Sequence, residues 1–171
     1  MQAANSNQHS NAAVQTIIKA GLLAGTLDIT TAFIHYHIKT GKGPFGVLNF
    51  VASGFFGKAA FEGGTPMALW GLLFHFIIAF AWTIIFFFLY PSIHLVSKNK
   101  IVNGLLYGIV IWAVMNLAVL PLSNVPPFQF DITKAIIAML ILMLAVGLPV
   151  SIIISRYYEK NKIAFEDKLI N

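Results

Sequence analysis

Residues 20–37 read AGLLAGTLDITTAFIHYH, a run apolar enough to enter a bilayer, with one carboxylate, Asp28, near its middle. In a soluble protein that Asp would face water from the polar side of an amphipathic helix. The composition argues against such a setting: 58% of the 171 residues are hydrophobic and only 10% charged, and the mean hydropathy is +0.80, far outside the usual range of soluble domains. The chain reads as an integral membrane protein, with no length left for a separate soluble catalytic domain.

Working outward from that run, four stretches near 16–38, 68–90, 101–122 and 133–155 approach the ~20 residues needed to cross a ~30 Å hydrocarbon core. GKGP at 41–44, GGTP at 63–66, Pro91 and NVPP at 124–127 disfavour helix continuation between them. Trp70, Tyr90, Tyr107, Tyr157 and Tyr158 lie near span ends, where amphipathic rings are favoured. The expected architecture is all-α: a polytopic bundle of four transmembrane helices over 16–156, a disordered polar tail at 1–15 and a cytoplasmic tail at 157–171. The intervening segment PFGVLNFVASGFFGKAAFEGG, 44–64, is apolar enough for a fifth span. Asn49, Ser53 and Gly57, however, recur every four residues on one narrow face. That pattern favours an extra interfacial or re-entrant helix at about 44–62.

With four spans, both termini and the 91–100 loop share one side, which collects Lys19, Lys98, Lys100, Arg156, Lys160, Lys162 and Lys168. The other side holds Lys39, Lys42, Lys58 and Lys134. The bias predicts cytoplasmic N- and C-termini. The formal charge of +5 is scattered around span ends rather than gathered with aromatics, so nucleic acid is not an expected partner. The first 13 residues carry no Lys or Arg, unlike a cleavable signal peptide, and the absence of cysteine removes disulfides and thiolate metal sites. A faint repeat, GLLAG at 21–25 against GLLYG at 104–108, suggests two helical hairpins in parallel orientation.

At 100° per residue, Gly21, Gly25, Asp28, Ala32 and His35 fall within an arc of about 80°. Gly21 and Gly25 form a GxxxG pair that lets a neighbouring backbone approach, so the Asp28 face is expected to be a packing face, with Ala24 farther from its centre. Gly104 and Gly108 form the equivalent face of the third span, while Asn116 points to a different neighbour. His75 lies with Gly71, Ile78 and Trp82 on one face of the second. In the last span Gly147, Ser151 and Ser155 are spaced for close packing, and Pro149 bends the helix by freeing a carbonyl one turn earlier. Asp28, His35, His75 and Asn116 together suggest an intramembrane polar spine, and Lys58 and Glu62, four residues apart, an interfacial ion pair. Asp28 is expected to be satisfied by His75, by Thr31 or by a backbone donor.

The layout GLLAGTLDITTAF, VLNFVASGFFGKAAF, LFHFIIAFAW, GLLYGIVIWAVMNLAVLPLS and a final VGLP helix resembles a type of small, uncharacterised bacterial inner-membrane protein, and is more distantly similar to the YagU-like family, over roughly 17–156. The resemblance implies a bacterial inner membrane and supplies no reaction. Where a YagU-like protein is expected to carry a His in the last span, this chain has Met139 and Met143.

The functional expectation is a non-enzymatic helical bundle whose Asp/His spine serves packing or partner interaction, with the lipid bilayer and a second copy or another membrane protein as partners. The alternative is a small oligomeric transporter, channel or proton-coupled permease using Asp28 and His75. No catalytic residue, metal or cofactor is expected. His35 and His37 point about 200° apart and cannot chelate one ion, and Asp28 has no second intramembrane acid for a two-carboxylate mechanism.

Overall fold

The computed structural model describes the backbone of residues 2–127 and 131–170, with the side chains of 11–94, 97–127 and 131–161. The described residues form five helices. α1 (Gln2–Thr40) ends at Gly41, whose φ of 67° places it in the left-handed region while its N–H returns to the His37 carbonyl at 2.8 Å, a glycine stop of the usual kind. α2 (Phe45–Phe56) leads into a 3-10 turn (Gly57–Phe61). α3 covers Gly64–Val96. α4 joins Lys100–Val114, a π-helical segment Met115–Val119 and Leu120–Leu122. α5 joins Ile132–Ile141, a π-helical segment Leu142–Gly147 and Leu148–Ile170. Side-chain caps open the last two: Asn99 Oδ1 accepts from Ile101 N at 2.9 Å, and Asp131 Oδ1 from Thr133 N at 2.9 Å.

Asn11–Thr40, Gly64–His94, Lys100–Leu122 and Ile132–Asn161 are long and apolar enough to cross a membrane. Their outer surface is the apolar one. Ile38, Phe88, Leu117 and Leu122 are largely exposed, whereas Ser53, Thr83, Ser151 and Ser155 are fully buried. Each of these four hydroxyls donates to a backbone carbonyl, so small polar groups sit inside without being orphaned. The expected tails fall mostly outside the residues described with side chains; of the remainder, 11–15 belong to α1 and 157–161 to α5.

Proline placement departs from the sequence reading. Pro91 does not end α3, which continues to Val96. A proline within a helix lacks the N–H that would pair with the carbonyl four residues back, here Phe87. Tyr158 Oη donates to that carbonyl at 2.9 Å, so α5 supplies the missing donor. Pro121 and Pro149 each follow a π-helical segment closely, and the carbonyls they leave, Leu117 and Ala145, lie within those segments. The widened turn accommodates what a regular α-helix would have to break.

The buried core joins Ala20 and Ala24 of α1, Phe86, Phe87 and Tyr90 of α3, Tyr107 and Ile111 of α4, and Val146, Val150 and Ile154 of α5. Two expectations change here. Ala24 is fully buried rather than peripheral, because α1 packs on α5 as well as α3. Tyr90 and Tyr107 are 2% and 5% exposed, core residues rather than interfacial anchors, and Tyr107 Oη donates to the Trp82 carbonyl at 2.6 Å.

The glycine faces divide into two kinds. A Cβ on Gly21 or Gly25 would meet the rings of Phe80 (2.6 Å) and Phe76 (2.9 Å), so these glycines make room for α3 aromatic side chains, not for a backbone. Gly104, Gly108 and Gly147 form a backbone crossing of α4 on α5: a Cβ on Gly104 would lie 2.7 Å from the Gly147 carbonyl oxygen, and one on Gly108 2.7 Å from the Met143 nitrogen. Gly71 does the same for α2, whose Leu48 carbonyl lies against it. α2 then packs Phe55 and Phe56 on Trp70 and Phe74. The α4–α5 loop is clamped onto the end of α2, with Asn124 N donating to Gly54 O at 3.0 Å and Asn124 Nδ2 to Phe55 O at 2.9 Å.

Candidate functional site

The packing of α1 on α3 brings Asp28 and His75 together. His75 is buried, and its Nε2 lies 2.8 Å from the carbonyl oxygen of Gly25. A carbonyl can only accept, so Nε2 carries the proton and donates. The other ring nitrogen, Nδ1, faces Asp28 Oδ2 at 4.0 Å, with side-chain exposures of 11% for His75 and 25% for Asp28. Asp28 is therefore mostly covered, with a quarter of its side chain exposed.

The local sequence accounts for this geometry. Gly25 lacks a side chain, which lets Phe76 and Ala79 pack within about 3 Å of where its Cβ would be and brings the His75 ring to the α1 backbone. His75 lies one helical turn beyond Gly71, the point where α2 packs on α3, so the ring is held between two contacts of its own helix. The Phe76 ring stands edge-on to it, with centroids 5.4 Å apart. Thr31 does not reach Asp28; its hydroxyl donates to Leu27 O in its own helix at 2.7 Å.

The remainder of the expected spine does not join this pair. Asn116 Nδ2 donates to Trp112 O at 2.8 Å within α4, using its donor locally as short polar side chains in helices often do. Among the described residues, His35 makes no hydrogen bond or ion pair, although it shares a face with Asp28. Lys58 and Glu62 likewise form no ion pair: the segment is a 3-10 turn, in which residues four apart point about 120° away from one another, unlike the same spacing on an α-helix. The ion pairs besides His75–Asp28 are Lys100–Glu159 at 3.8 Å, at the end of the bundle where α4 begins, and Lys134–Asp131 at 3.4 Å beside the α5 cap.

Sequence reasoning missed the carbonyl partners. The Gly25 carbonyl could not be foreseen from spacing on one helix. The Phe87 carbonyl had a signal, since Pro91 identifies by the four-residue rule which acceptor is freed. Among the described residues, no three His, Asp or Glu side chains converge as a metal site would require. No family model matches the chain, and neither the curated proteins nor the solved structures contain a match.

Proposed function

We propose that the chain is a non-enzymatic, multi-pass membrane bundle in which Asp28 and His75 form a polar link between the first and second spans. The observation that carries this reading is the His75 ring held between the Gly25 carbonyl and the Asp28 carboxylate. An unpaired ionisable side chain within a span costs several kcal/mol, so the pairing favours one rotation of α1 against α3. Excess Lys and Arg on one side supports cytoplasmic termini, and the suggested resemblance to YagU-like proteins supports a bacterial inner membrane. α2 with its 3-10 turn, Phe45–Phe61, is shorter than the about 20 residues that a span needs, and Gly57 with a φ of 60° breaks it, which supports an interfacial or re-entrant placement. The exposed part of Asp28 is where a second copy or another membrane protein would bear.

The Asp–His pair within the spans favours a second reading, a small oligomeric transporter or proton-coupled permease, since intramembrane ionisable residues commonly mark ion or proton paths. Reconstitution into liposomes with solute and proton flux assays separates the two. The packing reading expects no specific flux, together with non-additive destabilisation by Asp28→Ala and His75→Ala. Specific flux abolished by Asp28→Asn replaces it with the second reading.

A further inference from the structure

We infer that Asp28, His75 and the Gly25 carbonyl form an intramembrane binding site for a single proton, held between Asp28 Oδ2 and His75 Nδ1. The inference rests on the reading of the pair as the α1–α3 link and adds its protonation state. With Nε2–H committed to Gly25 at 2.8 Å, only Nδ1 faces the carboxyl group. Three states can be compared. Without a proton between them, a carboxylate confronts the bare Nδ1 lone pair and the site carries a net charge of −1. With two, a carboxyl O–H confronts an Nδ1–H and the net charge is +1. With one, a donor meets an acceptor and the net charge is zero. Only the last is both complementary and neutral, which an apolar surrounding strongly favours.

Among the described residues, no other charged group forms an ion pair with Asp28 or His75. On α1 the nearest titratable residues are His35 and Lys19, seven and nine positions from Asp28, or about 10 and 14 Å along the axis. On α3 the next are Tyr90 and His94. α2 has none between Phe45 and Phe56, and Lys58 and Glu62 follow only in the 3-10 turn. The α4 phenol of Tyr107 is committed to Trp82 O, seven residues along α3 from His75, and α5 contributes Tyr158 at Phe87, with Arg156 and Glu159 at the Lys100 end.

Loading the site is a proton transfer and nothing more. The Asp28 carboxylate takes a proton from water to become a carboxyl, which then donates to Nδ1 or passes the proton across to leave carboxylate and imidazolium. Closing the 4.0 Å separation to hydrogen-bond length takes about 1 Å of side-chain movement or one bridging water.

The full chain, labelled with ¹⁵N-histidine and placed in phospholipid nanodiscs, tests this by nitrogen NMR, with the His75 signals assigned by their loss in His75→Gln. At neutral pH His75 is expected to carry Nε2–H and to show at Nδ1 a deuterium isotope effect from the proton shared with the carboxyl group, whether that proton rests on oxygen or on nitrogen. Asp28→Leu, similar in shape and without a donor, is expected to remain folded and to lose that isotope effect. A neutral His75 protonated at Nδ1 overturns the inference, as does an Nδ1 with no isotope effect in the parent chain or one whose isotope effect persists in Asp28→Leu. Stability coupling between Asp28→Ala and His75→Ala is a separate readout: coupling without an isotope effect at Nδ1 keeps the link and discards the proton site.

Discussion

Glycine-to-alanine substitution separates the two kinds of close approach. In a helix interior the change by itself favours the folded state by about 1 kcal/mol. At Gly147 the new Cβ would collide with the Gly104 carbonyl oxygen and lie 3.0 Å from the Gly108 nitrogen, both backbone atoms of α4. Neither can rotate away, so the two spans must part. An overpacking cost of about 1–3 kcal/mol then outweighs the propensity gain, leaving a net loss of up to about 2 kcal/mol. At Gly21 the obstacle is the Phe80 ring at 2.6 Å, a side chain able to turn, so the two effects nearly cancel. At Gly54 the nearest atom is Ser123 Cβ at 4.0 Å, and Ala should stabilise. Thermal unfolding of the purified protein in one detergent should rank the melting temperatures Gly54→Ala highest, Gly21→Ala intermediate and Gly147→Ala lowest. At about 2–4 °C per kcal/mol, the outer two should differ by several degrees. If Gly147→Ala melts with Gly54→Ala, the backbone crossing is not the contact described here.

Three further outcomes follow from particular contacts. Tyr158→Phe should lower stability by about 1 kcal/mol by leaving the Phe87 carbonyl unpaired; in a Pro91→Ala background, where residue 91 regains its N–H, the loss should shrink, and an unchanged loss in the double-mutant cycle would refute the compensation. Single cysteines replacing Lys42 and Thr65, which flank α2, should label from the same membrane side; Thr65 is chosen because neighbouring Gly64 has a φ of 57°, strained for any other residue, and opposite-side labelling would mean that α2 crosses the bilayer. The backbone N–H of Lys134, followed by the Lys134 side chain and the Thr133 N–H, holds the Asp131 carboxyl below the usual carboxylate range. A depressed pKa contributes stability that is fully present above the unfolded-state value and lost as pH falls through the folded one, so acidification should fray the start of α5 in hydrogen exchange. Asp131→Asn, which caps without ionising, should remove that pH dependence.

The all-helical class and the four spans were legible because each depends on a property of the chain alone: long apolar runs, and glycine and proline clusters between them. The placement of Asp28 on a packing face was equally local, since Gly21 and Gly25 precede it on one helical arc. What required the tertiary structure was the partner of each face. Spacing cannot distinguish a glycine that admits a phenyl ring, as Gly21 does, from one that admits a backbone, as Gly147 does, because the distinction belongs to the helix opposite. Ala24 was misplaced for the same reason, two neighbours covering what a single-face argument assigned to one. Pro91 read as a stop because a sequence shows the missing N–H but not the phenol of Tyr158, 67 residues later, that replaces it. The Asp28–His75 pair lies between these cases: the chain supplied both titratable groups, but the rotation of α1 on α3 brought one imidazole nitrogen to the Gly25 carbonyl and turned the other toward the acid.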